Sequence, residues 1–173
     1  MLLNSQSIYK GRIIDLNLET VELPDGNSCE LEIIHHPGGV AVLAINDKQE
    51  ICLVRQFRHA AGGWIWELPA GKIEQQEDIK TTAQCELAEE AGFEANSWVY
   101  LGKCLSSPGV FTEIIHLYRA QDLTEVGQQL EEHEVLEVHW FKPQTIHDMI
   151  RKGEIIDSKT VVALYYLQLS NSG

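Results

Sequence analysis

Residues 71–93, GKIEQQEDIKTTAQCELAEEAGF, constrain the fold more than any other stretch. Ile79, Ala83, Leu87 and Ala91 recur every four residues, which predicts a helix over 79–91, and Gly92 suits the position just past its end. Glu86, Glu89 and Glu90 lie three and four residues apart and therefore share one sector of that helix. At about 100° per residue the sector adjoins the apolar stripe of Ala83 and Leu87, so the carboxylates meet the edge of the core. Like charges spaced this way repel, and burial raises the cost. A divalent cation reverses the sign, and oxygen ligands of this kind suit Mg²⁺, with Mn²⁺ as a substitute. The competing reading is an acidic, solvated helix face.

The remaining composition narrows the partners. At 173 residues the chain has the length of one ordinary domain, and its formal net charge of −13 weighs against nucleic acid and anionic membranes, which select basic patches. No apolar run approaches membrane-spanning length, and MLLNSQSIYKGRIID lacks the basic-then-apolar order of a secretory signal. Cys29, Cys52, Cys85 and Cys104 form no close pair and no zinc spacing, which points to reduced thiols and a cytoplasmic location.

Alternation in IIDLNLETVEL, a turn at Pro24-Asp25-Gly26, and ELEIIHH predict an N-terminal β-hairpin or meander. VAVLAIN and ICLVRQF are apolar, β-branched runs expected to be buried strands. WIWELPAG reads as a short strand entering a loop, and WVYLGKCL, EIIHLYRA and VLEVHWF as further strands. DLTEVGQQLEEHE is expected to be a loop; 143–151 and 158–169 are expected helices, the second presenting Val161, Val162, Tyr165 and Leu169 on one face. Strands before, between and after helices imply an α/β (α+β) architecture: a mixed sheet with helices on both faces.

The order Gly71, five residues, Glu77, seven residues, then Cys85-Glu86-Leu87-Ala88-Glu89-Glu90-Ala91-Gly92-Phe93 resembles the signature of the Nudix hydrolases, with Cys85 where that signature has Arg. LVRQFRHAAGG, WELPAGKIE, SPGVFTEIIHLYRA and DSKTVVALYYLQL are similar to the ADP-ribose pyrophosphatase branch. The resemblance implies an α/β/α sandwich over residues 38–173, preceded by N-terminal β-strands over 1–37 that pair across a homodimer. It implies hydrolysis of a nucleoside diphosphate sugar with Mg²⁺. Glu86, Glu90 and the Ala70 carbonyl become metal ligands, and Glu89 a ligand or near neighbour.

By position in Glu131-Glu132-His133-Glu134, the resemblance assigns Glu132 as general base and Glu134 as a further metal-binding carboxylate. Arg55 and Arg58 fall on opposite faces of a strand, so one of them is expected to face the site, and the resemblance favours Arg58 for phosphate contact. Gly109 and Glu113 belong to the substrate loop, Glu113 at the terminal ribose, while Trp64 and Trp66 are expected in the core or a dimer interface. In the family the Arg at position 85 steadies the loop by pairing with a carboxylate such as Glu77; a thiol forms no such pair. That departure motivates the alternative, a catalytically weakened nucleotide-binding or sensor module.

Overall fold

Alternating side chains at the N-terminus build a three-stranded antiparallel meander: β1 (Leu2–Lys10), β2 (Asp15–Glu22) and β3 (Ser28–His35). The computed structural model describes residues 1–74, 76–130, 132 and 134–171. β1 precedes the alternating run IIDLNLETVEL and is joined to β2 by a turn in which the Gly11 amide donates to the Ile14 carbonyl. The second turn is the expected one, with Gly26 at φ 85° and its N–H on the Leu23 carbonyl. Leu2, Leu3, Ile8 and Tyr9 of β1 are all exposed.

Two further sheets carry the rest. In one, β7 (Ala70–Lys72), β4 (Gly39–Ala44), β9 (Ile114–Glu125) and β8 (Phe93–Leu105) lie side by side in that order. The pair β4–β9 is parallel and the other pairings are antiparallel, so the sheet is mixed. In the other, β5 (Ile51–Arg58) runs between β10 (Leu136–Phe141) and β6 (Gly63–Glu67). β4 is buried along its whole length, which explains why it reads as an unbroken apolar run. Its two faces serve two cores. Val40, Val42 and Ala44 pack with Ala83, Leu87 and Ala91 of α1 (Ile79–Glu86) and the helical turn after it. Ala41 and Leu43 pack with Ile146 and Met149 of α2 (Pro143–Arg151) and Ala163 and Leu164 of α3 (Ser158–Asn171). Helices thus flank the sheet on both faces, as the sequence implied.

Three expectations are corrected. First, α1 stops at Glu86, and Leu87–Ala91 form a π turn; such turns widen the helix by one residue and cluster at functional sites. Gly92 ends it at φ 77°, where an added Cβ would stand 2.9 Å from the Gln128 amide. Second, residues 121–125 extend β9 by pairing with the start of β8, so the loop begins only at Val126. Third, the expected apolar face of α3 splits: Val162 packs against the core with Ala163 and Leu164, Thr160 is buried beside them, and Val161, Tyr165 and Leu169 face outward. Both stripes have helical spacing; the hydroxyl of Thr160 decides between them.

That hydroxyl accepts the Leu68 amide at 3.0 Å and donates to Asp157 Oδ2 at 2.6 Å, tying the exit of β6 to the start of α3. Thr160→Val leaves the buried Leu68 N–H without its partner. Urea denaturation is expected to show a loss of about 1–3 kcal/mol, with Thr160→Ser losing less.

Candidate active site

A cavity of about 910 Å³ opens where β7, α1 with its π turn, the end of β5, the 106–113 loop and the start of α3 meet. The carboxylates enter it from the helix. Glu86 leans against Gly71 so closely that a Cβ there would lie 1.6 Å from Glu86 Oε1; the carboxylate occupies the space that any other residue would fill. Glu90, only 2% exposed, accepts the Ala70 amide at 2.8 Å, and its own carbonyl is held by Gln128 Nε2 at 2.7 Å. Burial pushes the Glu90 carboxyl up to about 8; the Ala70 hydrogen bond opposes this, Glu86 and Glu134 add to it, and Arg58 opposes it weakly. A carboxylate held in this way favours a cation beside it.

Of the residues expected in the site, Ala70, Gly71, Glu77, Cys85, Glu86, Glu89, Glu113, Glu134 and Arg58 line the cavity. Glu90 lies beneath its wall. Arg55 faces away: its guanidinium stacks over Trp64 and Trp66 at 5.3 and 5.9 Å and meets Glu137 at 3.7 Å. Trp66 packs on the core and Trp64 is 42% exposed. Glu132 is an exposed turn residue and Gly109 an exposed loop residue, neither on the cavity wall. Glu131 and His133 lie outside the described residues.

Cys85 sits among acids. Burial raises its thiol pKa, and Glu77, Glu89 and Glu86 raise it further, so the side chain stays neutral where the signature has a guanidinium. Among the described residues no three His, Cys, Asp or Glu side chains are gathered as a ready metal-ligand set. The donor chemistry nevertheless fits a hard divalent ion: oxygen donors on one wall, a buried carboxylate with a raised pKa, and a glycine cradle for Glu86.

Several wall residues were not anticipated. His36 stands 3.4 Å from Glu113 Oε1, but its Nδ1 accepts the Gly38 amide at 3.1 Å, so the neutral ring carries its proton on Nε2. Burial lowers its pKa, with Glu113 opposing and Lys72 reinforcing. Glu67, Asp157 and Lys159 form a connected group beside Arg58. The signal was available in WIWELPAG: a charged residue in an apolar strand entering the core demands a cation.

A carboxylate-bearing helix and the strand of Gly71 thus converge on one polar cavity between α/β layers. Residues 35–164 match the NUDIX domain, and the chain belongs to that family. It is 39% identical to the ADP-ribose pyrophosphatase of Bacillus subtilis (strain 168), covering 96% of this chain and 91% of the relative. It is 40% identical to the methanol dehydrogenase activator of Bacillus methanolicus, covering 98% and 93%. The crystal structure of an ADP compounds hydrolase shares the fold at a TM-score of 0.85, covering 100% of this chain and 95% of that one, with 22% identity.

The raised Glu90 pKa fixes a direction for stability. Between its ordinary value of 4.5 and about 8, the metal-free folded chain keeps a proton that the unfolded chain has released, so stability falls as pH rises through that window. Calorimetry in EDTA is expected to show this decline, and Glu90→Gln to flatten it. The same variant is expected to keep its fold and lose activity by orders of magnitude at saturating Mg²⁺.

Proposed function

We propose that this chain is a Mg²⁺-dependent pyrophosphatase that cleaves ADP-ribose or a related nucleoside diphosphate sugar to a nucleoside monophosphate and a sugar phosphate. The observation that carries this reading is the convergence of Glu86, Glu89 and Glu134 with Arg58 on one cavity above buried Glu90. The relatives named as acting on ADP-ribose or ADP compounds support the substrate class.

In this reading Glu86, Glu90 and the Ala70 carbonyl hold the divalent ion, with Glu89 and Glu134 beside them. The bound ion supplies neutralisation of phosphate charge and a more acidic water. Arg58 is suited to phosphate through its guanidinium fork, and Glu113 to sugar hydroxyls as an acceptor. Glu132 is assigned as general base by its place in the sequence, two residues before Glu134. Gly71 leaves room for the Glu86 carboxylate against the strand, and Glu77 and Cys85 border the loop without an ion pair between them. Arg55 and Gly109 have no place in the substrate contacts of this reading.

A second reading, a nucleotide-binding or sensor module with weakened catalysis, draws on Cys85 and on the relative named as an activator of another enzyme. One assay separates the two. AMP release from ADP-ribose with Mg²⁺ is expected for the wild type, and Cys85→Arg is expected to lower the half-saturating Mg²⁺ and raise turnover, because it places a cation among Glu77, Glu86 and Glu89. ADP-ribose binding without hydrolysis by either form would establish the sensor reading instead.

The cytoplasmic location and the homodimer belong to the same proposal. The segment 1–37 is assigned to dimerisation because β1 exposes Leu2, Leu3, Ile8 and Tyr9 together. Light scattering at micromolar concentration is expected to give twice the 19.5 kDa chain mass; a monomer would refute the assembly and leave the activity standing.

A further inference from the structure

Glu67 is 1% exposed, yet it lies at the end of a strand that faces the cavity. Its Oε1 accepts Arg58 Nε at 2.8 Å, and its Oε2 accepts the Lys159 ammonium. Lys159 Nζ also donates to Asp157 Oδ1 at 3.0 Å. Asp157 is fixed in turn, because its Oδ2 accepts the Thr160 amide at 3.0 Å and the Thr160 hydroxyl. Two cations from β5 and α3 are thus held by one buried carboxylate from β6.

Such clusters are seldom the most stable way to fill a core; apolar side chains of similar volume often do as well or better. This one instead spends its donors unevenly. An ammonium has three N–H groups, and two are used on Glu67 and Asp157, which leaves one for the cavity that Lys159 lines. Arg58 spends Nε on Glu67, its side chain is 41% exposed at the same wall, and among the described residues no hydrogen bond is made by its two Nη groups, the bidentate fork. Position along the wall differs too. Arg58 feels the charges of Glu90 and Glu134, at the carboxylate end. Lys159 lies at the other end: it is paired with Asp157, and at the thiol of Cys104 there burial raises the pKa, Asp157 and Glu113 raise it further and Lys159 lowers it.

We propose that Glu67 is a positioning residue that presents Arg58 and Lys159 as paired donors to the two phosphates of the substrate, Lys159 taking the phosphate farther from the metal-side carboxylates. This rests on the diphosphate reading above. It assigns to Lys159 a substrate contact, and to Glu67 the task of setting the spacing between the two donors. Buried pairing keeps both cations charged and oriented before substrate arrives, so little side-chain freedom is lost on binding.

The test is titration calorimetry in EDTA with inorganic pyrophosphate and, separately, AMP, which has one phosphate. Lys159→Met is expected to weaken pyrophosphate about tenfold, the scale of one lost charge-assisted hydrogen bond, and to leave AMP unchanged within about twofold. Lys159→Arg is expected to restore most of the pyrophosphate affinity. In steady state, Lys159→Met is expected to raise the KM for ADP-ribose while the half-saturating Mg²⁺ stays the same. Melting temperature is read alongside, and Lys159→Gln, which keeps a donor for Asp157, is the second variant if Lys159→Met fails to fold.

A purely structural role would lower the melting temperature and shift both ligands alike. That result, equal pyrophosphate binding in wild type and variant, or a wild type that takes no pyrophosphate without metal, would overturn the proposal. A wild type that hydrolyses no nucleoside diphosphate sugar, but whose pyrophosphate binding still depends on Lys159, would overturn the functional reading and uphold the paired donors.

Discussion

The hydrogen bond from the Ala70 amide to the buried Glu90 carboxylate joins the two halves of the site. It pins the π turn at the end of the helix to the strand β7, and so sets where Glu86 and Glu89 enter the cavity. The bond alone does not offset the cost of burying the charge, as the raised pKa of Glu90 shows. The local structure is therefore held in a state that favours a cation. Glu90 falls within the π turn and is buried, while Glu86 and Glu89 line the cavity wall above it.

The whole molecule repels the substrate class it is suited to, since its net charge is −13. Local arrangement overcomes the long-range field. At moderate salt, interactions beyond about 8–10 Å are screened, so what a phosphate meets inside the cavity is set by a few fixed groups. Arg58 and Lys159 are fixed by Glu67, whereas Lys72 is paired with Glu74 at 2.7 Å near the cavity mouth. Cations with buried partners keep their geometry; those with exposed partners exchange readily with water.

Periodicity revealed most of the elements in advance. The buried β4 and β5, the helix from Ile79, and α2 were all legible, because their apolar patterns are forced by burial on known faces. The π turn was not, since the four-residue repeat through Leu87 and Ala91 fits a regular helix equally well. Of Val161, Val162, Tyr165 and Leu169, expected on one face of α3, only Val162 lies on the core side; the part played by Thr160 could not be read, because it lies in two hydrogen bonds made 92 and three residues away. The carboxylate wall could be read from the spacing of the Glu residues. For the Glu67 group the sequence showed that a cation was needed, but not that Lys159, 92 residues away, supplies one beside Arg58; only the fold brings them together.

The distance between Glu67 and Lys159, 92 residues along the chain, has a consequence for biosynthesis. Strand β4 also waits for β9, whose Tyr118 pairs with Val42 in parallel, before the central sheet can close. A chain still emerging from the ribosome can present its acidic helix long before either partner exists. Arg58 meets Glu67 within one strand pair, but Lys159 joins them only when α3 has been made and docked. A product terminated before α3 therefore has the carboxylates and Arg58 but lacks Lys159, the second donor of the pair.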